Sequence, residues 1–222
     1  MKKLLLSFAF LLVGLAAFAQ TNLQIFYDFG KERKLVTTTL EGFYNDDWGN
    51  TFFFIDYDYR MKDDFPDGSY FEIARCLNFW RNSALAPFSL QLEYNGGVYS
   101  KYGINHAFLT GIDASVHSAD YRNTLNFKLL YKYIVNIPQQ VPMQFTMVWG
   151  CQDLFGAKGL RFSGFLDVWN EYDRAVALSE PQLWYSFGTQ HFNLGGEIEL
   201  GWNFGGASGF TANPCLGVKW VF

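Results

Sequence analysis

Hydrophobic and polar residues alternate along most of this chain with a period of two residues. The stretch 124–133 shows the pattern clearly, with one apolar series at alternate positions: Leu125, Phe127, Leu129, Tyr131 and Tyr133. The intervening series is mostly polar: Asn126, Lys128, Leu130 and Lys132. A period of two is that of a β-strand, whose side chains point alternately to opposite faces. Almost no stretch has the helical period, so the pattern predicts an all-β protein.

Twelve stretches with this alternation follow one another, separated by turn-forming residues. The predicted strands are 23–29, 35–44, 51–60, 69–80, 88–99, 106–116, 124–133, 143–150, 160–168, 182–188, 193–203 and 216–222. The longer predicted turns are 61–68, 135–142, 170–181 and 205–214. Shorter turns are expected near Ser118, Gly156 and Gln190. Long turns therefore alternate with short ones along the chain.

The first residues have the features of a secretory signal peptide. Lys2 and Lys3 precede an apolar run over 4–15, and Ala17-Phe18-Ala19 supplies a small-x-small cleavage site. The run is shorter than the roughly 20 residues that a spanning helix needs. We therefore expect a signal peptide over 1–19 and one mature domain over 20–222.

Composition bears on which solvent the apolar faces meet. Hydrophobic residues make up 50% of the chain and aromatic residues 20%, whereas charged residues make up only 17%, against about 25% in a typical soluble domain. A soluble β-sandwich also has alternating strands, but it rarely combines so many long strands with so few charges. A signal peptide, an even strand count and aromatic residues near strand ends are typical of an outer-membrane barrel. These features favour a closed antiparallel transmembrane β-barrel of about 12 strands.

Charge and reactive side chains narrow the functional classes. Without Lys2 and Lys3, 15 basic and 21 acidic residues remain, a net charge of −6, which argues against a nucleic-acid partner. Three widely spaced cysteines form no C-x-x-C pair, and neither a metal nor another cofactor is expected. His117 and Ser118 are adjacent, so on a strand they point to opposite faces and cannot form a nucleophile–base pair. The protein is not expected to be an enzyme.

Strand parity places ionisable and aromatic residues on the inner face of the predicted barrel. The inward acidic set is Asp56, Asp58, Glu72, Glu93, Asp113, Asp167, Glu197 and Glu199, and the inward basic set is Lys128, Lys132, Arg161 and Lys219. Inward rings are Phe52, Phe54, Trp80, Phe165, Trp169 and Trp184. Carboxylates accept hydrogen bonds from sugar hydroxyls, and aromatic faces stack on nucleobases. Ion-pair packing and filling of the lumen are the structural alternatives for the same residues.

Two segments resemble a known family. Trp48-Gly49-Asn50-Thr51-Phe52-Phe53-Phe54-Ile55-Asp56-Tyr57-Asp58, followed by Tyr70-Phe71-Glu72-Ile73-Ala74-Arg75-Cys76-Leu77, is similar to the paired motif of the Tsx-like nucleoside-specific channel-forming porins. The resemblance implies a monomeric twelve-stranded barrel in the outer membrane of a Gram-negative bacterium, passing nucleosides by facilitated diffusion. The candidate substrate contacts are Phe52, Phe54, Asp56, Asp58, Glu72, Trp80, Glu93, Asp113, Lys128, Trp184, Glu197 and Glu199.

Two further partners are predicted, one from the C-terminal residue and one from the outer face of the barrel. The terminal Phe222, with apolar residues at alternate positions before it, is similar to the signal that barrel-assembly machinery recognises, and the outer face is expected to contact outer-membrane lipid. A sealed or plugged barrel with a structural, adhesive or partner-binding role is the alternative to a channel, and a lipid-modifying barrel enzyme is less favoured.

One residue departs from the alternation. Arg75 shares the parity of outward-facing Phe71, Ile73 and Leu77. A lipid-facing Arg at the centre of a bilayer costs about 2–4 kcal/mol. We therefore expect either a β-bulge between Glu72 and Arg75 or a position at the membrane interface.

Overall fold

The structure, a computed structural model, describes residues 19–31, 33–59, 67–100, 102–188 and 191–222. The predicted signal peptide falls outside the described residues apart from Ala19. So do most of the predicted turn 61–68 and the predicted turn position Gln190.

Thirteen β-strands and one short 3-10 turn, Leu154–Gly156, make up the described chain. The strands are β1 Ala19–Asp28, β2 Val36–Asp46, β3 Gly49–Tyr59, β4 Gly68–Leu77, β5 Phe88–Tyr99, β6 Gly103–His117, β7 Asn123–Ile134, β8 Met143–Gln152, β9 Leu160–Glu171, β10 Arg174–Ser179, β11 Gln182–Ser186, β12 Phe192–Trp202 and β13 Phe210–Val221. The predicted all-β fold class is confirmed.

All the strands belong to one antiparallel sheet that closes on itself. From β1 to β10, and from β11 to β13, each strand pairs with its neighbour in the chain, and β1 pairs with β13 from Asn22↔Val221 to Asp28↔Cys215. β10 and β11 lie end to end between β9 and β12, so the 13 strands occupy 12 positions around the barrel. The predicted twelve-stranded closed barrel is therefore confirmed.

The break between β10 and β11 corrects the prediction of a long turn over 170–181. The actual turn is Tyr172-Asp173, and β10 continues the ladder with β9 up to Ser179. Proline has no N–H to donate to a neighbouring strand. Pro181 therefore interrupts the tenth position around the barrel without shifting its register, since two residues lie between the flanking pairs on the broken strand and also on β9 and on β12.

Two further boundaries differ from the prediction. β4 ends at Leu77, so Trp80 lies in the following turn over 78–87, where its indole N–H donates to the Phe88 carbonyl at 2.8 Å. The predicted turn 205–214 is shorter than expected because β13 already begins at Phe210. At both boundaries aromatic residues lie next to turn-forming residues. The alternation alone therefore does not show at which residue strand pairing stops.

The two faces of the wall differ as the alternation predicts. On β7, outward-facing Leu129 is 58% exposed whereas inward-facing Leu130 is 0% exposed. Exposed apolar side chains cover the outer surface on nearly every strand, including Ile25, Leu92, Phe108, Leu183 and Leu216. An outer surface of this composition is unfavourable in water and favourable against hydrocarbon.

The turns form two rims. We call the rim that carries 47–48, 78–87, 118–122, 153–159, 187–188 and 191 the near rim. β1 begins there and β13 ends there, and the opposite rim is the far rim. Aromatic pairs lie close to both rims: Trp48–Phe79, with ring centroids 6.0 Å apart, at the near rim, and Tyr27–Phe29, 4.8 Å apart, at the far rim. Rings at both ends agree with the predicted aromatic girdles.

Arg75 keeps its outward position without a bulge. The β3–β4 and β4–β5 registers run unbroken through Thr51↔Arg75↔Leu92. Its guanidinium donates to both carboxylate oxygens of Asp46, at 2.7 and 2.8 Å, and to Thr51 Oγ1 at 3.0 Å. The predicted bulge is therefore wrong. Asp46 adjoins the near-rim turn, so Arg75 lies beside the near rim, and its position at a membrane interface stays a prediction.

Candidate functional site

Eleven of the twelve predicted contact residues lie on the inner face of the barrel. Register pairs each of them with other inward residues, as in Phe54↔Glu72 and Asp113↔Lys128. Trp80 is the exception, because it belongs to the near-rim turn rather than to the wall. The inner face predicted by parity is therefore correct apart from this residue.

Rings and carboxylates share one wall of the lumen, formed by β3 and β4. The Phe54 ring lies 6.0 Å from Phe52 and 5.8 Å from Tyr70 between centroids. The Tyr70 hydroxyl donates to Glu72 Oε1 at 2.6 Å. All four side chains, and that of Asp56, are half-buried rather than sealed. This surface, which we call the ring–carboxylate wall, therefore remains accessible from the lumen.

Threonine side chains hold the two aspartates of β3. Thr39 donates to Asp56 Oδ1 at 2.5 Å, and Thr37 donates to Asp58 Oδ1 at 2.6 Å. The Tyr99 hydroxyl also donates to Asp58 Oδ2 at 2.9 Å. These donors were not predicted as site residues, although Thr37 and Thr39 occupy alternate positions on β2 opposite the aspartates.

A second acidic group joins β4 and β5 through an amide. The Asn95 Nδ2 group donates to Glu72 Oε1 at 3.0 Å and to Glu93 Oε1 at 3.2 Å. Gln91 Nε2 donates to Glu93 Oε2 at 2.5 Å. Asn95 and Gln91 are buried in the wall, 5% and 0% exposed, and their hydrogen bonds fix the positions of the two carboxylates.

Asp113 and Lys128 face each other in register but form no close ion pair. Asp113 instead accepts hydrogen bonds from Asn126 Nδ2, at 3.2 Å to each oxygen, and from the Cys76 thiol, at 3.7 Å. Asp113 is 4% exposed. It therefore belongs to the packed part of the wall rather than to the accessible part.

Trp184 is likewise packed. Its side chain is 1% exposed, with the Phe26 ring 5.5 Å away and the Lys219 ammonium 4.2 Å above its own ring. Its indole N–H donates to Gln182 Oε1 at 2.9 Å. The protein's own side chains thus occupy the faces that a solute would need for stacking.

Arg33 lies at the far rim and links β1 to β12. Its Nε lies 2.7 Å from Asp28 Oδ2 on β1, and its Nη1 lies 2.5 Å from Glu199 Oε2 on β12. Burial alone would lower the pKa of Arg33, but the charge and hydrogen bond of Glu199 and the charge of Asp28 raise it above its ordinary value. Asn213 Nδ2 donates to the other Glu199 oxygen at 2.9 Å. The β1–β2 turn is therefore tied to β12, across the seam strand β13.

An apolar cluster fills the lumen beside β6, β7, β9 and β10. Its buried members are Ala107, Leu109, Leu130, Ile134, Trp169 and Val176. Ile137 and Phe204, from two far-rim turns, and Leu178 pack against them. The Phe204 and Trp169 rings meet edge to face, with centroids 6.0 Å apart. Part of the far mouth is therefore closed by side chains of the wall and its turns; we call this set the far-rim plug.

The inner face is strongly acidic. The structure adds four carboxylates to the eight predicted ones: Asp28, Glu41, Glu171 and Glu180. The twelve face five basic residues: Arg33, Lys128, Lys132, Arg161 and Lys219. Among the described residues, Arg33 makes the only ion pairs within 4.0 Å on this inner face. Glu180 precedes Pro181 in the stretch 170–181, which the sequence predicts as a turn. The alternation within that stretch is the one sequence feature that indicates an inward position for Glu180.

Other predicted features have these positions. The three cysteines are free thiols, two of them buried. His117 Nδ1 contacts the Ser118 carbonyl oxygen, while the Ser118 hydroxyl donates to Asp120 in a near-rim turn. Within the described ranges no group of three or more His, Cys, Asp or Glu is placed to bind a metal ion. No helix in the described part of the chain is both long and apolar enough to cross a membrane.

Comparison with known proteins gives a family match and likenesses to solved structures. The family profile described as "Domain of unknown function (DUF5020)" matches residues 19–222. A solved structure described as "Unveiling the Mechanism Behind the in-meso Crystallization of Membrane Proteins" is similar over 91% of this chain and 83% of its own, with 9% identity and a TM-score of 0.49. No curated protein matches the sequence significantly. The resemblance to nucleoside-specific channels stays a prediction, because the family's description names no substrate.

Proposed function

The chain belongs to the family described as a domain of unknown function (DUF5020), and from its barrel we propose an outer-membrane channel for small solutes, nucleosides foremost. The carrying observation is the ring–carboxylate wall, where half-buried Phe52, Phe54 and Tyr70 adjoin Asp56 and Glu72. Rings and carboxylates that stay accessible inside a closed barrel are placed to contact a solute rather than only each other.

The membrane location is supported by the outer surface. Apolar side chains such as Leu92, Leu129 and Leu216 are more than half exposed there, and a closed sheet leaves no unpaired edge in lipid. Because β1 begins and β13 ends at the near rim, we assign that rim to the periplasm, as in outer-membrane barrels of Gram-negative bacteria. Outer-membrane lipid is then the partner of the outer face.

Assembly and oligomeric state belong to the same proposal. Phe222 is 60% exposed at the near rim, and its backbone N–H is paired with Thr21. It is thus available to barrel-assembly machinery while its strand completes the seam. The barrel closes within one chain, so we propose a monomer that has neither a nucleic-acid partner nor a catalytic role.

A nucleoside fits the chemistry of the wall. Any nucleobase is able to stack on an aromatic face, and this stacking contributes about 1–3 kcal/mol per base. Ribose hydroxyls donate to carboxylates, and Glu72 Oε2 has no protein donor among the described residues. Binding must stay weak, since a permeating solute has to leave the site again.

The far-rim plug favours a second candidate function. Side chains of two turns and of β6, β7, β9 and β10 close part of the mouth with apolar contacts. A barrel sealed in this way would serve a structural, adhesive or partner-binding role without conducting.

Planar-bilayer recording of the purified folded protein separates the two candidates. For a nucleoside channel we expect ion conductance that adenosine blocks partially and in proportion to its concentration, whereas glucose and glycine block less. Phe54→Ala should weaken the block. Phe53→Ala is the matched control, because Phe53 is the neighbouring ring on the outer face.

Three outcomes of this recording are informative. Absence of conductance would reject the channel in favour of the sealed barrel. Conductance without adenosine block would reject only the nucleoside preference. An equal effect of Phe53→Ala and Phe54→Ala would show that the ring–carboxylate wall is not where the solute binds.

A further inference from the structure

Three carboxylates from three strands converge on one region of the lumen. Glu93 on β5 interacts electrostatically with Glu72 on β4 and with Asp167 on β9, and Asp167 also interacts with Glu72. Each of the three side chains is half-buried. A ring of acidic side chains in a narrow pore attracts cations and repels anions.

The nearby lysines do not neutralise these carboxylates by contact. Lys128 and Lys132 approach from β7, yet among the described residues neither ammonium lies within 4.0 Å of a carboxylate oxygen. Lys132 Nζ instead donates to Gln144 Oε1 at 2.6 Å and lies 4.0 Å above the Trp169 ring. A lumen packed purely for structure would place opposite charges in contact, because separated buried charges are unfavourable. Here the amines are held to one side. The donors that reach the three carboxylates are the neutral groups of Tyr70, Gln91, Asn95 and Thr146, so no cation that the structure describes is in contact with them.

Asn95 supplies an independent sign of a missing donor. Its side chain is 5% exposed and its Nδ2 group binds both Glu72 and Glu93, but its carbonyl oxygen Oδ1 has no hydrogen-bond partner in the described part of the chain. Buried acceptors are nearly always paired, so an unpaired one beside two carboxylates calls for an incoming donor. An ammonium group presents three donors and no acceptor.

Aromatic faces lie beside the same carboxylates. Tyr70 is hydrogen-bonded to Glu72, and its ring lies 5.8 Å from that of Phe54. A cation near an aromatic face gains further electrostatic attraction, and a planar substituent gains stacking area.

We propose that Glu72, Glu93, Asp167 and Asn95 form a subsite for the ammonium group of a solute, with the rings of Phe54 and Tyr70 holding a planar group attached to it. The solute class is a small aromatic amine in its protonated form. The inference rests on the proposed function, since it specifies the solute of the same lumen.

Binding to the detergent-solubilised full chain tests the subsite without requiring conduction. The probes share one ring and differ in charge: phenethylammonium, 2-phenylethanol and phenylacetate, each titrated by calorimetry. We expect phenethylammonium to bind about tenfold or more tightly than the neutral alcohol, the factor that a charge-assisted hydrogen bond supplies. Phenylacetate should bind least. Equal binding of the cation and the anion would overturn the subsite.

Variants locate the effect within the barrel. Glu93→Gln should weaken phenethylammonium binding about tenfold and leave 2-phenylethanol unchanged. Asp173→Asn makes the same charge change in an exposed far-rim turn and should leave both affinities unchanged. Unaltered ammonium binding in a folded Glu93→Gln protein would contradict the assignment, and if that variant does not fold, the three-probe comparison on the unmodified protein still decides.

The subsite and the channel fail in different ways. Ammonium preference in micelles without bilayer conductance would keep the subsite and reject the channel. Conductance with adenosine block but without ammonium preference would keep the channel and reject the subsite.

Discussion

Removing the Phe204 side chain should loosen the far-rim plug. Phe204 lies in the turn between β12 and β13 and packs edge to face on Trp169. A fully buried Phe→Ala change costs about 3–5 kcal/mol, to which a ring pair contributes about 0.5–1.5 kcal/mol. Phe204 is only half-buried, so we expect Phe204→Ala to lower the free energy of unfolding by about 2 kcal/mol.

The same change should widen the mouth. The Trp169 ring is 8% exposed in the intact protein, and losing Phe204 uncovers one side of it. We expect a higher single-channel conductance in planar bilayers for Phe204→Ala than for the unmodified protein. Urea unfolding in detergent micelles, followed by tryptophan fluorescence, measures the stability.

Phe155 provides the matched control. It is 96% exposed in a near-rim turn, so Phe155→Ala should change the unfolding free energy by less than about 0.5 kcal/mol and leave conductance unaltered. If Phe204→Ala behaves like Phe155→Ala in both measurements, the plug neither stabilises the barrel nor restricts its mouth.

Three further predictions concern the Asp46–Arg75 ion pair at the near rim, the inner and outer faces of β7, and the interruption between β10 and β11. Hydrogen bonds from Arg75 lower the pKa of Asp46 to about 2, below the usual value of about 3.9. Asp46 therefore stabilises the fold above about pH 4, a contribution lost as the pH falls through its folded pKa, and Arg75→Gln should return the NMR-titrated value toward about 3.9. A cysteine at Lys128 should react with a water-soluble thiol reagent, whereas one at Leu129 should not. Gly164→Ala should cost about 2–3 kcal/mol of unfolding free energy, since φ is +155° and the new Cβ would meet the Glu180 carbonyl oxygen at 2.4 Å.

Each of these has an outcome that contradicts it. An Asp46 titration unchanged by Arg75→Gln would mean that the ion pair does not form at the near rim. Labelling needs a background without Cys76, Cys151 and Cys215, and equal reaction at both positions would refute the two-faced wall. Gly103→Ala is the control for the glycine, because no atom of the described residues lies within 4 Å of its added Cβ. Similar losses at both sites would show that the close approach at Gly164 is unimportant.

The alternation predicted the barrel wall well because the period of two is imposed by strand geometry at every position. Leu125 to Tyr133 and Phe53 to Tyr57 lie on the faces that their parity indicated. The same rule could not place the ends of strands, since pairing stops where a partner strand stops. Trp80 was therefore assigned to the wall although β4 ends three residues earlier.

The contacts inside the lumen were predictable only in part. Parity identifies which side chains face inward, so Asp56 and Glu72 were found. It carries no information about which strands lie opposite each other across the barrel, and that arrangement brings Asp167 near Glu72 and folds Phe204 onto Trp169. Arg33 was missed because its residue belongs to a turn, and only the three-dimensional path of that turn brings it to Glu199.

The seam between β1 and β13 has a consequence for how the barrel forms. If β10 and β11 are counted as one strand interrupted by two residues, all other paired strands are successive in the chain, so each hairpin is able to pair locally. The pair Asn22↔Val221 instead joins positions almost the full chain apart. Closing so large a loop carries the greatest entropic cost and gives the slowest contact. We therefore expect the seam to form last, in a step that turns an open, edge-exposing sheet into a cylinder.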